Sequence, residues 1–292
     1  MTVRTCVGRV ALVTGASRGI GQGLAVRLAA EGALVAAVGR TAKPGDGSYA
    51  GSLAETVDMA AAAGGQAVAV VADIGTAHER RRAVHEAEKH FGRPVTLLVN
   101  NAAAPRAFDL RFDGMEEDAF RAAIEVNVWA AWDLARLVIP GMLGDGAGWI
   151  LNVSSAQATP RVGPPYSGIS SGGACLYGGT KAMIDRVTSG AAMDLHGCGI
   201  AVNSLAPEAA VVTPHAVSAA DLPPDKIEPM ETFVSAALAL LTGDPGTLTG
   251  RIAYSLSLVK ELSVEVRSLD GRTLVEGWQP TEIDAKRLLT RS

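Results

Sequence analysis

Seven short apolar segments, most of them rich in valine, recur along the chain and are separated by longer stretches with helical periodicity. The segments read RVALVTG, ALVAAVG, QAVAVVAD, VTLLVNN, GWILNVSS, IAVNSLAP and GRIAYSLS. Each is apolar nearly throughout, which is typical of a parallel strand that is buried on both faces. Helices are expected near residues 20–31, 52–63, 76–91, 115–143, 176–196 and 229–242. This alternation predicts an α/β fold, with a doubly wound, seven-stranded parallel sheet covered by helices on both faces.

The size of the chain bears on the number of domains. A length of 292 residues with 48% hydrophobic residues favours one large domain over two of average size. We expect a single domain over residues 1–292, with a core at about 8–255 and a C-terminal extension at 257–292. Within the extension, the sequence RSLDGRTL predicts a hairpin with an Asp-Gly turn.

Charge and composition argue against several classes of protein. The net charge is −4 and the longest basic run is RRR near residue 81, so neither a nucleic acid nor a membrane surface is an expected partner. The chain has no apolar run long enough to span a membrane, and its N-terminus lacks the pattern of a signal peptide. The three cysteines cannot all pair and lack metal-site spacing with the five histidines. We therefore expect reduced thiols, no metal, and a cytoplasmic location.

A glycine-rich turn follows the first predicted strand. The sequence VALVTGASRGIGQGLA places Gly15, Gly19 and Gly21 between a strand and a helix. Glycines at this point let the backbone approach a pyrophosphate, and the helix N-terminus supplies N–H donors. The alternative is a tight turn in an α/β protein without a nucleotide. The context of strand, turn and helix favours dinucleotide binding.

The end of the second predicted strand indicates which dinucleotide is preferred. An NAD site usually places a carboxylate there, whereas this chain reads AVGRTAK, with no acid before Asp46. Arg40, helped by Arg18 and by Lys43, can hold a 2′-phosphate with charge-assisted hydrogen bonds. The alternative is that Arg40 is a solvated loop arginine. NADP(H) is therefore predicted in preference to NAD(H).

The segment ACLYGGTKAMIDR places Tyr177 and Lys181 four positions apart, on one face of a predicted helix. A free phenol has a pKa of about 10 and is a poor base at neutral pH. A nearby ammonium group favours the phenolate and so lowers that pKa. Taken alone, the spacing fits an ordinary surface pair as well as a catalytic one.

Several motifs nevertheless occur in one order. They are TGASRGIG at 14–21, ADI at 72–74, NNAA at 100–103, Asn127, NVSS at 152–155, YGGTK at 177–181 and NSLAP at 203–207. Over roughly residues 8–255, this set resembles the NAD(P)-dependent short-chain dehydrogenase/reductase superfamily, which has a Rossmann-type fold. The resemblance implies an enzyme that interconverts an alcohol and a carbonyl group on a small molecule by hydride transfer. Two alternatives remain open: a protein that binds and senses the nicotinamide cofactor without turnover, and a dehydratase or epimerase of the same superfamily.

The resemblance also implies roles for four residues. Tyr177 matches the general acid/base, and Lys181 matches the lysine that touches the nicotinamide ribose and lowers the tyrosine pKa. Ser155 matches the serine that orients the substrate, with Ser154 as the alternative. Asn127 resembles the asparagine that holds a water of the proton relay. The simpler interpretations are a helix cap or loop hydroxyl for the serine and a satisfied helix polar group for Asn127.

Further cofactor contacts follow from the same resemblance. They are Gly15, Ser17, Arg18, Gly19 and Ile20 in the glycine turn, Arg40 after the second strand, Asp73 and Ile74 at the adenine, Asn100 and Ala102 beside the adenosine ribose, and Pro207, Val211 and Thr213 on the nicotinamide side.

The chain departs from the family pattern at three places. Glu208 and Ala103 each stand where the family usually has glycine. Ser155 and Tyr177 are 22 positions apart, which is longer than is common. The extra residues and residues 214–228 are expected to lie on the substrate side, the latter as a mobile lid. The insertion after the second strand and PEAAVVTP look similar to citronellol- and citronellal-type dehydrogenases and to hydroxysteroid-dehydrogenase-like proteins, which implies an apolar substrate.

The resemblance finally implies a homo-oligomer. The helices near 115–143 and 176–196 resemble those that pair across subunits, usually in tetramers built on two-fold axes, so a tetramer or dimer is expected. An apolar stripe suits such an interface, although it could equally face the sheet of its own subunit. The stripe comprises Trp129, Trp132, Leu134 and Leu137.

Overall fold

The seven apolar segments form the strands of one sheet in the computed structural model, which describes residues 4–104, 112–160, 174–213 and 226–280. The strands are β1 Val10–Thr14, β2 Leu34–Gly39, β3 Gln66–Val71, β4 Val95–Asn100, β5 Gly148–Val153, β6 Ile200–Ala206 and β7 Ile252–Tyr254. Their order is β3-β2-β1-β4-β5-β6-β7, and all pairings are parallel. The predicted fold is confirmed. Because the strand order reverses between β1 and β4, a crevice opens at the carboxyl ends of these strands.

Eight α-helices connect and flank the strands in the described ranges. They are α1 Gly19–Ala30, α2 Leu53–Ala62, α3 Ala77–Phe91, α4 Glu117–Ile124, α5 Ala130–Asp145, α6 Ala174–Asp194, α7 Met230–Thr242 and α8 Ser255–Glu261. None of them is both long enough and apolar enough to cross a membrane.

Helices cover both faces of the sheet, as the continuous apolar strands predict. Along β1, Val10 and Leu12 pack into the cluster that contains α3, α5 and α6. The alternate residues Ala11 and Val13 pack into the cluster that contains α1, α2 and α7. Side chains of successive strand residues point to opposite faces, so one strand contributes to both cores. The edge strand β3 is the exception, because most of its side chains are only partly buried or exposed.

Local signals in the sequence fix several helix ends. The Ser52 hydroxyl caps the start of α2, where it accepts a hydrogen bond from the Glu55 N–H and donates one to the Glu55 carboxylate. Thr76 caps α3 by accepting from the Glu79 N–H. At the other end of α3, Gly92 adopts a left-handed conformation with φ of 66°.

The long helix predicted at 115–143 is present, but it has a defect in its middle. A π-helical turn at Glu125–Trp129 separates α4 from α5. Such turns contain more residues than an α-helical turn and occur often at functional sites. Periodicity does not reveal this turn, because the apolar pattern continues on both sides of it.

The four residues predicted to form an apolar stripe on this helix do not share one surface, so this prediction is wrong. Trp129 and Trp132 are 45% and 49% exposed, whereas Leu134 is completely buried and Leu137 packs against the core of its own sheet. The helical rotation between these positions sends the leucines inward and the tryptophans outward.

The described part of the C-terminal segment, which ends at residue 280, packs against the core. Val264, Val266, Leu269 and Val275 join the cluster that contains α1 and α7. The expected hairpin is present only as a turn with a single antiparallel bridge, Arg267 to Leu274. Most of the predicted lid at 214–228 and of the inserted loop at 156–176 lies outside the described residues.

Candidate active site

A cleft of about 550 Å³ lies at the carboxyl ends of the strands near the reversal of strand order. Most of the predicted cofactor residues line it. They are Gly15, Ser17, Arg18, Gly19, Ile20, Arg40, Asp73, Ile74, Ala102 and Thr213. The other predicted cofactor residues, Asn100, Tyr177, Lys181, Pro207 and Val211, are not among the lining residues of this cleft.

The glycine turn is held in a shape that only glycine tolerates. Gly15 and Gly19 have φ values of 66° and 59°, which place them in the left-handed region. A Cβ on Gly21 would lie 2.4 Å from both the Asn101 amide nitrogen and the Gly15 carbonyl oxygen. Arg18, the N-cap of α1, provides no side-chain cap to that helix. The first N–H groups of α1 therefore remain suited to an anion such as a pyrophosphate.

Two polar residues that the sequence reasoning missed fix this turn to the neighbouring strand. The Thr14 hydroxyl donates to the Val99 carbonyl oxygen at 3.2 Å and accepts from the Asn101 and Ala102 N–H groups at 3.0 and 3.2 Å. The Asn101 side chain donates to the Thr14 carbonyl oxygen at 2.9 Å. The sequence Asn100–Asn101 could have indicated this contact, because Asn100 ends β4 and the Asn101 side chain then reaches the glycine turn.

Residues of the insertion after β2 contact the Arg18 guanidinium. This group donates to the carbonyl oxygen of Ala50 at 2.9 Å and to the Thr41 hydroxyl at 3.1 Å, and it lies 5.7 Å from the centre of the Tyr49 ring. The Arg40 side chain is exposed and forms no hydrogen bond or ion pair with any other described residue. Two guanidinium groups thus border the cleft at the end of β2.

The segment after β3 is fixed by Arg80, the first arginine of the RRR run, for which the sequence predicts no role. Arg80 is 1% exposed and donates to the Ile74 carbonyl oxygen at 2.7 Å. The same guanidinium pairs with Glu125 and with Asp133, both at 2.7 Å. Asp73 is exposed at the cleft, and its carboxylate accepts from the N–H of the glycine two residues later at 2.9 Å. One buried arginine therefore joins this side of the cleft to the π-helical turn.

Tyr177, Lys181 and Ser155 lie together at the carboxyl end of β5. The Lys181 ammonium nitrogen lies 5.5 Å from the centre of the Tyr177 ring and donates to the Val153 carbonyl oxygen at 2.7 Å. Tyr177 and Ser155 share a side-chain hydrogen bond. Ser155 also caps a short 3₁₀ turn by accepting from the Gln157 N–H at 3.2 Å. The simpler role considered for this serine, a cap, is thus present beside its contact with the phenol.

The direction of the tyrosine pKa differs from the expectation. Burial raises the pKa of Tyr177 to about 12, although the hydrogen bond with Ser155 acts in the opposite direction. Burial also lowers the pKa of Lys181 to about 8, and the negative charge of Asp185 partly offsets this. The expected lowering of the phenol pKa by Lys181 is therefore not found in the chain itself. The ammonium lies beside the ring face and is bonded to a carbonyl oxygen, so desolvation dominates.

Asn127 lies in the π-helical turn, and both its side-chain oxygen and its side-chain nitrogen form a hydrogen bond. Its side-chain oxygen accepts from the Ala104 N–H at 2.8 Å, and its amide nitrogen donates to the Thr180 hydroxyl at 3.1 Å. Thr180 in turn donates to the Tyr177 carbonyl oxygen at 2.7 Å. The side chain is thus a satisfied polar group that ties the segment after β4 to the helix carrying Tyr177.

A small polar cavity of about 10 Å³ lies beside Asn127 and Lys181. Asn100 and Asn152 also line it, and the Asn100 side-chain oxygen is buried with no hydrogen-bond partner in the described part of the chain. A cavity of this size is near the lower limit for one water molecule, and an unpaired buried oxygen is a suitable partner for it.

Comparison with known proteins gives a consistent family. The model of the family described as short chain dehydrogenase matches residues 9–221. The chain is 34% identical over 200 residues to the 3-oxoacyl-[acyl-carrier-protein] reductase FabG of Staphylococcus aureus, a match that covers 68% of this chain and 72% of that protein. It is 29% identical over 203 residues to the ketoacyl reductase HetN of Nostoc sp., covering 70% of this chain but only 64% of HetN.

Solved structures agree with this assignment. A 3-oxoacyl (acyl-carrier-protein) reductase from Agrobacterium tumefaciens with NADP bound has a TM-score of 0.70 and 27% identity, covering 85% of this chain and 93% of that one. A metagenomic short-chain oxidoreductase in complex with NADP has a TM-score of 0.66 and 25% identity, covering 83% of this chain and 95% of that one.

Proposed function

The chain belongs to the short-chain dehydrogenase/reductase family, oxidoreductases that act on CH–OH and C=O groups, and on that premise we propose that it interconverts an alcohol and a carbonyl with NADP(H). The observation that carries the proposal is the group of Tyr177, Lys181 and Ser155 at the carboxyl end of β5. The group lies at the same edge of the sheet as a glycine turn with the backbone geometry that a dinucleotide requires.

The residues present fit a dinucleotide. The left-handed Gly15 and Gly19 and the N-terminus of α1 would hold the pyrophosphate, and Lys181 would contact the nicotinamide ribose. The bound cofactor supplies the hydride, which is chemistry that no side chain can provide.

The side chains would orient the carbonyl group and supply one proton. A pKa raised to about 12 by burial keeps the Tyr177 phenol protonated at neutral pH, so it is ready to act as a general acid. In reduction, the carbonyl carbon gains the hydride and the oxygen gains the Tyr177 proton. Ser155 would donate a hydrogen bond to that oxygen as its negative charge develops. Oxidation would need the phenolate, whose formation burial disfavours in the chain without cofactor.

The polar cavity offers a route to replace the proton. It lies between Lys181 and the buried Asn100 oxygen, next to Asn127. A water there would connect the ammonium group to the polar side chains behind it. In this proposal Asn127 acts by holding the walls of the cavity through Ala104 and Thr180.

The preference for NADP(H) over NAD(H) rests on the end of β2. Arg40 and Arg18 provide positive charge there, and the nearest following acid, Asp46, accepts a hydrogen bond from the Lys43 N–H at 2.9 Å. Arginine forks are well matched to phosphate oxygens. Two solved relatives that carry NADP support the same choice.

An apolar substrate is supported by the surroundings of Tyr177. Ala104, Ala123 and Leu176 form a small buried cluster, and Met115 and Tyr177 pack against it. We further propose that the chain forms one domain and that it assembles as a homo-oligomer through the outer surface of α5 and α6.

The test is a spectrophotometric assay of NADPH oxidation with a panel of carbonyl compounds. The panel contains hydrophobic ketones and aldehydes, β-ketoacyl thioesters and polyhydroxylated ketones. Turnover confined to the hydrophobic members supports the proposal, and turnover of thioesters or sugars alone contradicts the apolar substrate. Tight cofactor binding with no turnover of any member would favour a sensing role instead.

A further inference from the structure

Two acidic side chains are buried where the chain leaves β6. Glu208, the residue that stands in place of the usual glycine, is 5% exposed, and Glu228, just before α7, is 1% exposed. The Glu228 carboxyl oxygen Oε2 accepts from the Glu208 N–H at 2.6 Å and from the Ala209 N–H at 3.3 Å. The side chain of one acid therefore binds the backbone of the other.

These contacts fix the path of residues 207–213, here termed the post-β6 segment. Ala210 and Ile227 form a parallel bridge, in which the Glu228 N–H donates to the Ala210 carbonyl oxygen at 2.8 Å. At its far end the segment reaches the glycine turn, because a Cβ on Gly19 would lie 2.9 Å from the Thr213 methyl group. The post-β6 segment thus runs from the end of β6 to the glycine turn, and its first residues are tied to Glu228.

The surroundings of Glu228 disfavour its charge. Burial raises the pKa of Glu228 to about 7, and the negative charge of Glu208 adds to this effect. The groups with the opposite effect are neutral: the Ser255 hydroxyl and the N–H groups of Glu208 and Ala209. Within the described residues, the second Glu228 oxygen has no hydrogen-bond partner. An ionised oxygen in that position costs more than a neutral carboxyl group.

Glu208 is held from the other side by α8. Its N–H donates to the Ser255 hydroxyl at 3.1 Å, and its carboxylate accepts from the Ser257 hydroxyl at 3.1 Å. Glu208 is therefore held between Glu228 on one side and α8 on the other.

We propose that Glu228 is a positioning residue for the post-β6 segment. While the Glu208–Glu228 pair retains one proton, Glu228 holds this segment against the cofactor site, and the segment loosens when both acids are ionised. The inference rests on the proposed function, since it assigns the segment to the nicotinamide half of the cofactor. Loss of the shared proton places two like charges in a buried space, and the cheapest relief is to separate residues 208–210 from residues 226–228.

The experiment compares the full-length wild type with Glu228→Gln, Glu228→Ala and a matched control, Glu231→Gln, three positions along the chain. Dissociation constants for NADPH are measured by calorimetry between about pH 6 and pH 9, on either side of the Glu228 titration. Adenosine 2′,5′-bisphosphate is the internal reference, because it carries the adenosine half and the 2′-phosphate but no nicotinamide. Circular dichroism checks that each variant is folded.

For the wild type, the NADPH dissociation constant should rise about five-fold or more over this range relative to the reference. Glu228→Gln should lose the part of this rise that is centred near pH 7, because the amide retains an acceptor oxygen and cannot ionise, and should retain any part near pH 8 that arises from Lys181. Glu228→Ala should bind weakly at every pH, and Glu231→Gln should follow the wild type.

A Glu228→Gln profile identical to that of the wild type would overturn the inference, even if Glu228→Ala fails to fold. Wild-type protein that binds the reference but neither NADPH nor NADH would instead overturn the proposed function.

Discussion

Lys181 and Val153 are joined by a hydrogen bond of 2.7 Å from the buried ammonium group to the backbone carbonyl oxygen. The bond fastens the first part of α6 to the end of β5, two residues before Ser155. The relative positions of the phenol and the serine hydroxyl therefore depend on a group that is itself proposed to act on the cofactor. A change at Lys181 should disturb both geometry and charge, and the pH dependence of the rate separates the two effects.

Tyr177→Phe should remove nearly all turnover while leaving the fold and NADPH affinity intact, because it deletes one hydroxyl group. Loss of a general acid typically costs about 10²- to 10⁴-fold in rate. Initial rates and cofactor titration provide the measurement. Tyr254→Phe is the matched control, since that hydroxyl pairs with Thr159 at 2.9 Å, at the end of a different strand. A Tyr177→Phe enzyme with the wild-type rate would show that the acid is a different group.

The rate of reduction should fall as the pH rises through about 8, where burial has placed the pKa of Lys181. Its ammonium is present below this pH and is lost above it, while Tyr177 remains protonated throughout. Lys181→Ala should weaken cofactor binding, lower the rate at every pH and abolish the step near pH 8. Lys260→Ala, at an exposed position on α8, should retain the step. A step that persists in Lys181→Ala would assign it to another group.

The same lowered pKa of Lys181 has a consequence for stability. The unfolded chain, with the lysine at its ordinary value of 10.5, binds more protons than the folded chain above about pH 8. The contribution of Lys181 to the free energy of unfolding should therefore become more favourable as the pH rises from about 8 toward the unfolded value. Chemical denaturation of wild type and Lys181→Met at several pH values gives this difference. A difference between the two proteins that does not change with pH would contradict the lowered pKa.

NADPH should bind more tightly than NADH by the worth of one or two charged hydrogen bonds, about 1.5–3 kcal/mol each. Gly39→Asp combined with Arg40→Ala should reverse the preference, because a carboxylate would repel the 2′-phosphate and accept the ribose hydroxyls. A Cβ on Gly39 would lie 3.3 Å from a methyl carbon of the buried Leu53, so the variant requires that side chain to shift by a few tenths of an ångström. Lys43→Ala is the control, as Lys43 is not among the residues lining the cleft. Equal affinities of the wild type for NADPH and NADH would refute the proposed preference for NADP(H). The assignment to the dehydrogenase family would remain.

Trp132→Glu should dissociate the proposed oligomer. Trp132 is 49% exposed and borders a groove of about 590 Å³ between α5 and α6, where a buried charge would be costly at a subunit interface. Light scattering should give a multiple of 30.0 kDa for the wild type and a lower mass for the variant. Leu274→Glu, which changes an exposed leucine near the C-terminus, should leave the mass unchanged. A wild type that scatters as a monomer at micromolar concentration would rule out the oligomer.

Much of the fold could be predicted because the sheet is buried on both faces. Strands such as β1 and β4 then appear in the sequence as unbroken apolar runs. The helices between the strands are recognised by apolar residues that recur every three to four positions. The pair of Tyr177 and Lys181 was equally accessible, since one helix face carries both. Features that depend on a single helix or strand leave a regular signal in the sequence.

Contacts between distant segments leave no such signal. Arg80 meets Asp133 across 53 positions, and Glu208 meets Glu228 across 20. Nothing in their local patterns distinguishes these buried groups from solvated ones. The pKa of Tyr177 illustrates the same limit, because the neighbouring lysine was visible in the sequence and the degree of burial was not.

The π-helical turn at Glu125–Trp129 also determines which insertions and deletions this helix can tolerate. Deleting one residue there would remove the extra residue of the turn and let α4 continue into α5 as a regular α-helix, with Leu134 still facing the core and Asp133 still facing Arg80. Asn127, which lies inside the turn, would no longer meet both Ala104 and Thr180. The deletion would therefore leave the sheet contacts in place and displace the candidate active site. Homologous chains that share this site should therefore preserve the spacing across these five residues more strictly than the residues themselves.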